Sequence, residues 1–481
     1  MPIRTLTKLT CLAVVGSVFV SAIAFANPKP NIVMILVDDL GWTDLSCQGS
    51  RFYETPNIDR LAADGIRFTN AYAASAVCSP TRAAILTGRY PHRIGATDWF
   101  RMSFQPERKA DPKLPNGYTW MGPGSLITPR NPRRLEHDQV TIAELLHGVG
   151  YQTGHVGKWH LGGSTHGPLS QGFASNFAGC DLGLPPSYFD PYKNGSWGKQ
   201  GIPGVTPRAT GEYLTDRESE AAVNFIRSNA DKPFFLYMAH YAVHTPVQAK
   251  RELVDRYKAK PKSKHDNPVY AAMIHSVDQA VGRIVATLER QGIAYKTVVI
   301  FTSDNGGELR STSNWPLREG KGFAYEGGLR VPLIIRRPGM IEPGSVSHEP
   351  VISMDLFSTI AEMAGVRATQ DGSMDGISLV DHVNSSGESK LGPRHLVWHF
   401  PHYRNAGPGP YSVIRSGDWK LIKRYDTRNL ELYHLGLDIG ESINRVEDEP
   451  EVTRRLYRAL VNRLTQDHAR LPIDPSTYFT E

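Results

Sequence analysis

Two apolar runs in the sequence each end in oxygen-bearing side chains. Residues 31–37 (NIVMILV) and 297–303 (TVVIFTS) have the length and composition of buried parallel strands. Ligands of open α/β sheets bind beyond the carboxyl ends of such strands, and carboxylate and amide oxygens suit a hard cation such as Ca²⁺ or Mg²⁺. A helix cap or a solvated loop would not explain why both strands end alike. We therefore predict one divalent-cation site from Asp38, Asp39, Asp304 and Asn305.

A third apolar run, residues 234–239, brings histidine to the same edge of the predicted sheet. It leads to His240 and then to His244, which is followed by Thr245 and Pro246. Acids, an amide and a histidine at the ends of three strands form a pattern typical of an active site. No Cys or His cluster has the spacing of a zinc site. We expect four other histidines to be structural or peripheral: His155, His166, His240 and His275.

Cys78 begins the segment Cys-Ser-Pro-Thr-Arg, which predicts the start of a helix that runs to Thr87 and stops at Gly88. Proline suits the first turn of a helix. The thiol then lies near the positive end of the helix, with Arg82 one turn further on. A buried structural cysteine is the alternative. A hydrolase that used the thiolate itself would need an adjacent histidine base, and the sequence identifies none.

Two lysines lie in glycine-flanked segments. Lys158 follows Gly157 in the run GKWHLG, and Lys321 lies between two glycines. Glycine lets the backbone approach a ligand closely, which favours a functional lysine over an ordinary surface lysine at both positions. We add these lysines, and His160 of the first run, to the candidate site.

These segments resemble the type I sulfatases, the formylglycine-dependent, arylsulfatase-like family. Cys-x-Pro-x-Arg with its short helix and Thr-Gly-Arg at 87–89 is similar to the signature of that family. Any one match is modest, but all stand in family order over nearly the whole mature chain. The other matching segments are residues 31–41, 157–162, 302–306, 320–322, 325–328, 431–433 and 438–441.

The resemblance implies an alkaline-phosphatase-like fold and a modified residue. A separate formylglycine-generating or sulfatase-maturating enzyme would oxidise Cys78 to Cα-formylglycine during export. The metal ligands would then be residue 78 together with the four oxygen donors, and the ion would be Ca²⁺, with Mg²⁺ as the alternative. One hydroxyl of the aldehyde hydrate would attack sulfur and expel the alcohol. The other hydroxyl would then lose its proton, and the aldehyde would re-form as sulfate leaves.

The resemblance also implies roles for the surrounding side chains. Arg82 would hold the hydrate and neutralise local charge, and Asp304 with the cation would help to ionise the nucleophile. The other roles would be sulfate binding by Lys158 and Lys321, protonation of the leaving oxygen by His244 with Lys321, and assistance of the elimination step by His160.

Alternating strand and helix signals from residue 30 to about residue 370 favour an α/β fold with a mainly parallel sheet covered by helices on both faces. Three helices are predicted from apolar spacing and from caps: residues 58–64 capped by Asn57, residues 140–147, and residues 269–290.

The C-terminal part has a different pattern. Short strands at residues 411–415 and 420–423 precede a helix with leucines one turn apart around residues 452–464. This indicates a small antiparallel sheet with a packed helix. The predicted organisation is a catalytic domain over residues 27–375 and a C-terminal subdomain over residues 376–481.

Composition and the N-terminus restrict the class of protein. The 481 residues are 40% hydrophobic and 21% charged, so the chain is neither disordered nor fibrous. A net charge of +6 without a long basic run argues against a nucleic-acid partner. Residues 1–26 have a basic start, an apolar run shorter than the roughly 20 residues of a spanning helix, and a small-x-small cleavage site, which favours a signal peptide over a membrane anchor. We expect an exported protein, periplasmic or secreted, without membrane insertion after cleavage.

Cysteine usage adds one open question. Three cysteines remain after signal cleavage, which is too few for a disulfide framework in a chain of this length. Cys47 and Cys180 could pair, and the sequence does not decide between a pair and free thiols.

Two aromatic segments bear on the substrate. Residues 97–136 form a long connection rich in Arg, Pro and aromatic residues, which we interpret as a wall of the substrate cleft. Residues 398–403 (WHFPHY) either stack on sugar rings or pack a strand against the large domain. Together they favour a sulfated carbohydrate, as in the bacterial polysaccharide sulfatases of the carrageenan and glycosaminoglycan kind that the sequence resembles.

Two other functions stay open at this point. A phosphonate monoester or phosphodiester hydrolase can share this fold and motif, and an exported carbohydrate-binding protein could retain the scaffold without activity. Glu319 stands where many relatives have a small residue, and it could face either solvent or substrate.

Overall fold

The computed structural model describes residues 29–103, 105, 113–120, 126–366, 374–404 and 407–478. The predicted signal peptide, residues 1–26, lies outside the described residues, as do parts of the predicted cleft wall. The strands are β1 Asn31–Val37, β2 Ile66–Phe68, β3 Ala71–Tyr72, β4 Tyr118–Trp120, β5 Ile127–Pro129, β6 Gln152–Gly157, β7 Ser175–Phe177, β8 Phe234–Ala239, β9 Thr297–Ser303, β10 Leu333–Arg336, β11 Ser345–Ser347, β12 Val351–Ile352, β13 His395–Phe400, β14 Tyr411–Ser416, β15 Trp419–Arg424 and β16 Leu430–His434.

The α-helices lie mostly between these strands, and 3₁₀ turns add short connections. Within the described residues, no helix is both long enough and apolar enough to cross a bilayer. The helices are α1 Pro56–Ala63, α2 Cys78–Thr87, α3 Ile142–Gly148, α4 Leu214–Ser228, α5 Arg251–Lys258, α6 Pro268–Arg290, α7 Glu326–Leu329, α8 Asp355–Met363, α9 Val380–Asn384, α10 Pro450–Gln466 and α11 Pro475–Tyr478.

The main sheet has eight strands in the order β11-β2-β10-β9-β1-β8-β6-β7. Every neighbouring pair is parallel except the two pairs that β10 makes. The prediction of a mainly parallel α/β sheet is therefore confirmed. The three apolar runs of the sequence are β1, β8 and β9, which lie side by side in the middle of the sheet with their predicted bounds.

Strand β1 shows how the sheet separates two apolar cores. Its side chains alternate between the faces, as the period of two in a strand requires. Val33 and Ile35 point into the core that contains α6, while Ile32 and Met34 point into the core that contains α3 and α8. All four are fully buried. Helices therefore cover both faces of the sheet.

Helix α1 begins at Pro56, so the prediction that Asn57 caps it is wrong. The Asn57 side chain lies inside the first turn and donates from Nδ2 to Asp278 Oδ2 at 2.6 Å. Oδ1 of Asp278 accepts the backbone N–H groups of Asn57 and Ile58, both at 2.9 Å. The Asp278 carboxylate of α6 thus accepts the free backbone N–H groups at the start of α1. A residue from a neighbouring helix therefore does what a local capping side chain was expected to do.

The other two predicted helices are present. Helix α3 starts two residues later than predicted, because Thr141 and Glu144 form a reciprocal capping box at its N-terminus. Helix α6 matches its predicted range within one residue, and the Asn267 side chain accepts backbone N–H groups of its first turn.

The C-terminal strands β13 to β16 form an antiparallel sheet in sequential order, and α10 packs on β14 and β15. Trp398 of β13 is 2% exposed and donates from Nε1 to the Ala73 carbonyl at 2.7 Å. His399 and Phe400 are buried as well. The aromatic segment therefore packs this sheet onto the main unit, which is the second of the two interpretations. The division into residues 27–375 and 376–481 stays a prediction.

Cysteine pairing is settled for the described residues. Cys47, Cys78 and Cys180 are all free thiols. The pairing of Cys47 with Cys180, left open by the sequence, is not formed.

Gly157, at the end of β6, gives a test of this architecture. Its φ is +93°, and a Cβ built there would lie 1.9 Å from the Ala239 carbonyl oxygen of β8. We expect Gly157→Ala to lower the free energy of unfolding by about 2 kcal/mol or more, because it adds both strain and a backbone clash. Denaturant unfolding measures the change. Gly148→Ala is the control, since its added Cβ would have no atom within 4 Å apart from its chain neighbours and the nearby backbone of its own helix. Equal losses in both variants would contradict the prediction.

Candidate active site

The predicted site residues meet at one edge of the main sheet. Asp38 and Asp39 follow β1, Asp304 and Asn305 follow β9, and Lys158 follows β6. Backbone bonds between neighbouring loops fix these turns. The amide of Asp38 donates to the Ala242 carbonyl beyond β8 at 3.0 Å, and Val243 N donates back to Asp38 O at 2.8 Å.

The four predicted oxygen donors lie close together and are buried to 1% exposure or less. Asn305 Nδ2 donates to Asp39 Oδ1 at 2.8 Å, and the backbone N–H of Asp39 contacts Asp304 Oδ1 at 3.3 Å. Burial and the neighbouring charge of Asp38 raise the pKa of Asp304 to about 6. Several carboxylates in one dry place are costly unless cations accompany them.

Three basic side chains supply that positive charge. Arg82 Nε donates to Asp304 Oδ2 at 2.8 Å, and Lys158 Nζ donates to Asp38 Oδ2 at 2.5 Å. Lys321 Nζ lies 2.6 and 2.7 Å from the two carboxylate oxygens of Asp39. Burial opposes ionisation of Asp39, but Lys321 and the other nearby cations outweigh it and hold the pKa of this carboxyl well below its usual range.

The donor set fits a hard divalent cation. Asp38 Oδ1 and Asn305 Oδ1 are buried and have no hydrogen-bond partner among the described residues. Ligand atoms of Asp38, Asp39 and His244 lie within 4.8 Å of one another. Buried oxygens without hydrogen bonds are expected where an ion belongs, and carboxylate and amide oxygens are the ligands of Ca²⁺ and Mg²⁺.

Cys78 is the first residue of α2, as predicted, and is 4% exposed. Its Sγ lies 3.4 Å from His160 Nδ1. The other ring nitrogen of His160 donates to the Phe100 carbonyl at 2.8 Å, which leaves Nδ1 as the acceptor that faces position 78. Ser79 Oγ also lies 3.2 Å from this nitrogen.

The contact between Cys78 and His160 is one that sequence reasoning missed. The two residues are 82 positions apart, and no spacing rule joins the start of α2 to the loop after β6. Burial raises the pKa of the Cys78 thiol, and burial with the nearby Lys158 charge lowers the pKa of His160 well below its ordinary value. The pair is therefore a neutral thiol beside a neutral imidazole, which is poorly suited to thiolate catalysis.

Two hydrogen bonds connect the segment around Cys78 to the segments that carry Lys158 and Lys321. Arg82 Nη1 donates to the Lys158 carbonyl at 2.9 Å, and Gly322 N donates to the Ala76 carbonyl at 2.8 Å. The second bond places Lys321 beside the loop that leads into α2. The segments that carry Cys78, Lys158 and Lys321 are thus joined by one bond from the Arg82 side chain and one bond between main-chain groups.

Two site residues hold strained backbone conformations. Asp39 has φ of +61° and His160 has φ of +56°, in the left-handed region that side chains rarely adopt. Such strain persists only where the surroundings enforce it, and it concentrates at functional sites. Here it directs the Asp39 carboxylate and the His160 ring into the cluster.

The four histidines that we expected to be structural or peripheral contact groups outside the charged cluster, as does Glu319. His166 Nε2 lies 3.5 Å from Glu136 Oε2. His240 Nδ1 contacts Glu218 at 2.7 Å, His155 Nδ1 contacts Asn176, and His275 Nδ1 contacts the Tyr257 hydroxyl. Glu319 lines a separate groove with Arg318 and Tyr325.

Comparison with known proteins identifies the family of this chain. A family model described as Sulfatase matches residues 30–366, most of the chain. The chain belongs to the sulfatase family and is an enzyme of that class. A second model, described as N-sulphoglucosamine sulphohydrolase, C-terminal, matches residues 319–470.

Individual sulfatases are similar over most of the chain. A sulfatase of Formosa agariphila is 35% identical over 495 residues, which span 88% of this chain and 86% of the relative. The N-acetylgalactosamine-6-sulfatase of Homo sapiens is 35% identical over 497 residues, with 94% and 88% covered. The crystal structure of Ps i-CgsB in complex with k-i-k-neocarrahexaose has a TM-score of 0.73 at 31% identity and covers 91% of this chain and 93% of that chain.

The two buried oxygens without hydrogen-bond partners among the described residues, Asp38 Oδ1 and Asn305 Oδ1, predict that a divalent cation stabilises the folded protein. We expect EDTA to lower the midpoint of thermal unfolding and Ca²⁺ or Mg²⁺ to restore it, with about 2.7 kcal/mol gained at a hundredfold excess over Kd. Asn305→Ala should need roughly tenfold more cation for the same shift, because it removes a ligand oxygen. Asn224→Ala, on the exposed side of α4, is the matched control. An identical response in both variants would exclude Asn305 as a ligand.

Proposed function

We propose that this sulfatase removes sulfate from a sulfated carbohydrate, with Cys78 acting after oxidation to Cα-formylglycine by a separate maturation enzyme. The observation that supports this most strongly is the position of residue 78. It lies at the start of α2 and contacts His160 Nδ1. The charges of Lys158, Lys321 and Asp304 are close enough to act on its side chain. A sulfate ester needs these elements together: a nucleophile, positive charge for the sulfuryl oxygens and a proton donor for the alcohol.

The substrate class is inferred from relatives that resemble this chain. One acts on N-acetylgalactosamine 6-sulfate according to its name, and the structural neighbour Ps i-CgsB was crystallised with k-i-k-neocarrahexaose. Both have identities above 30% over most of the chain. A sulfated saccharide is therefore the substrate that we propose for this chain.

Five side chains would hold the cation, and Arg82 would hold the modified residue. A divalent cation bound by Asp38, Asp39, Asp304, Asn305 and residue 78 would supply positive charge next to the nucleophile. Arg82 is anchored by Asp304 and by the Lys158 carbonyl, so its guanidinium is fixed behind position 78. These anchors would orient residue 78 before substrate arrives, which is the main requirement for electrostatic catalysis.

Lys158 and Lys321 would bind the sulfate oxygens. In the structure each is paired with a carboxylate, Asp38 and Asp39 respectively. If those carboxylates held a cation, the lysine charges would be available to an anionic group. The incoming sulfate would then be held by two fixed charges in a dry site, where such contacts are strong.

His244 would deliver the proton to the leaving oxygen. Its Nε2 lies 3.5 Å from Asp39 Oδ2, while Nδ1 lies 2.9 Å from the Thr245 carbonyl and donates to it. Burial and the Lys321 charge lower the pKa of His244 to about 3, so the ring is neutral without substrate. A bound sulfate adds negative charge beside the ring and favours its protonated form. Proton donation is thereby coupled to substrate binding.

His160 would serve the release of sulfate. Its Nδ1 accepts hydrogen bonds and faces position 78, and the Phe100 carbonyl fixes this tautomer. A base in that place can take the proton from the second hydroxyl of the hydrate, so that the C–O bond to sulfate breaks and the aldehyde re-forms.

The function is tested by sulfate release from a panel of sulfated oligosaccharides. We expect Cys78→Ala to lose at least about 10³-fold of the wild-type rate, because it removes the side chain that carries the proposed nucleophile. Cys47→Ala, which removes a free thiol outside the site, should retain the wild-type rate within about twofold. Comparable rates for wild type and Cys78→Ala would contradict the proposal.

The rival activity is tested with paired aryl esters. We expect the mature enzyme to turn over an aryl sulfate faster than the matching aryl phosphodiester under the same conditions. Faster turnover of the phosphodiester would favour a phosphodiester or phosphonate monoester hydrolase instead. No turnover of either ester or of the oligosaccharide panel would favour an inactive carbohydrate-binding protein.

The role of His244 predicts a dependence on the leaving group. We expect His244→Ala to slow hydrolysis of a sugar sulfate by about 10²-fold or more, because an alkoxide leaves poorly without a proton. With 4-nitrophenyl sulfate the loss should be much smaller, since nitrophenolate is a good leaving group. Exposed His348 provides the control variant His348→Ala, which should change neither rate by more than about twofold. Equal losses on both substrates would exclude His244 as the acid.

A further inference from the structure

A large cavity lies beside the candidate active site but contains none of its charged cluster. Its volume is about 1150 Å³, at the upper end of ordinary ligand pockets. The walls come mainly from residues 92–103, from residues 129–136 and from residues 466–470, which begin at the last residue of α10. We call it the arginine cavity. It therefore joins part of the predicted cleft wall to the C-terminal part of the chain.

The arginine cavity has an excess of cations. Some arginines in its lining have their charge balanced by an ion pair. Arg93 pairs with Asp375, and Arg134 pairs with Glu136. The acid Asp467 is itself paired with His92. The arginines in the lining are Arg93, Arg101, Arg130, Arg133, Arg134 and Arg470, against the acids Asp98, Glu136, Asp181 and Asp467.

Three of these arginines have no carboxylate within ion-pair distance among the described residues. Arg101 lies over the ring of Trp99, with its guanidinium carbon 5.9 Å from the ring centroid. Arg133 donates from Nη2 to three main-chain carbonyls, including that of Met102 at 2.8 Å. These neutral partners hold the guanidinium without cancelling its charge. Arg470 is exposed and lies beside Gly117, where the backbone approaches its guanidinium closely.

One short segment joins the arginine cavity to the reaction centre. Phe100 donates its N–H to Ser79 Oγ at 2.9 Å and accepts from His160 Nε2 at 2.8 Å, both beside Cys78. The residues on either side of it, Trp99 and Arg101, line the cavity. Consecutive Cα atoms are about 3.8 Å apart. A saccharide of two or more units that extends from residue 78 across this segment would reach the unneutralised arginines.

We propose that the arginine cavity binds a second sulfate group of the same saccharide whose sulfate ester is hydrolysed at residue 78. This assignment rests on the proposed function and narrows its substrate class to oligosaccharides with at least two sulfates. Guanidinium groups that have no carboxylate partner among the described residues suit sulfate, because their paired N–H groups match its oxygens. The volume admits a sugar unit together with its sulfate.

The test measures binding without turnover, so that it can fail independently of the proposed function. Isothermal titration calorimetry measures the affinity of the protein for sucrose octasulfate, and unsulfated sucrose serves as the negative control. We expect Arg101→Gln/Arg470→Gln to weaken sucrose octasulfate binding by about tenfold or more, from two lost charged hydrogen bonds. Arg227→Gln/Arg251→Gln removes the same charge from the exposed faces of α4 and α5 and should leave the affinity within about twofold.

One further variant separates the possible causes of a loss. Arg101→Lys/Arg470→Lys keeps both charges and should recover part of the affinity, which excludes a folding defect as the cause. The proposal is overturned if the wild type does not bind sucrose octasulfate or if the Arg101/Arg470 glutamine variant binds as tightly as wild type. It is also overturned if the Arg227/Arg251 control loses as much affinity as the Arg101/Arg470 glutamine variant.

Discussion

The structure depends on the pairing of buried charges at the carboxyl edge of the main sheet. Asp38, Asp39 and Asp304 are removed from water, and isolated carboxylates in that environment would be strongly destabilising. Arg82, Lys158 and Lys321 lie directly against them. Removing one partner from such a cluster costs about 3–5 kcal/mol, because the other charge stays buried. The same close pairing fixes each side chain where the proposed chemistry needs it.

The fold supplies this pairing by placing short loops from four strands at one edge. Strands β1, β9, β8 and β6 are held in register by parallel ladders, so their ends cannot move independently. Helix α2 then brings residue 78 to the cluster through Arg82, which bonds to both Asp304 and the Lys158 carbonyl. The C-terminal sheet contributes at a distance, because the segment after α10 closes one wall of the arginine cavity.

The sequence allowed a correct prediction where a local pattern of residues determines the structure. Continuous apolar runs predict β1 and β9, and the residues that end them follow directly, which is why the oxygen cluster could be expected. Contacts between distant segments had no such pattern. The approach of His160 to Cys78 depends on how the loop after β6 lies over α2, and the cap of α1 comes from Asp278, which is 221 residues from Asn57. For the WHFPHY segment, only burial distinguishes core packing from sugar stacking.

The most direct test is the chemical state of residue 78 in active enzyme. Mass spectrometry of the proteolytic peptide that contains it, on protein produced with a maturation enzyme, should show the loss of sulfur and the gain of an aldehyde oxygen. The modified fraction should rise in proportion to the rate of sulfate release across preparations. Fully active enzyme with an unmodified Cys78 thiol would contradict the account.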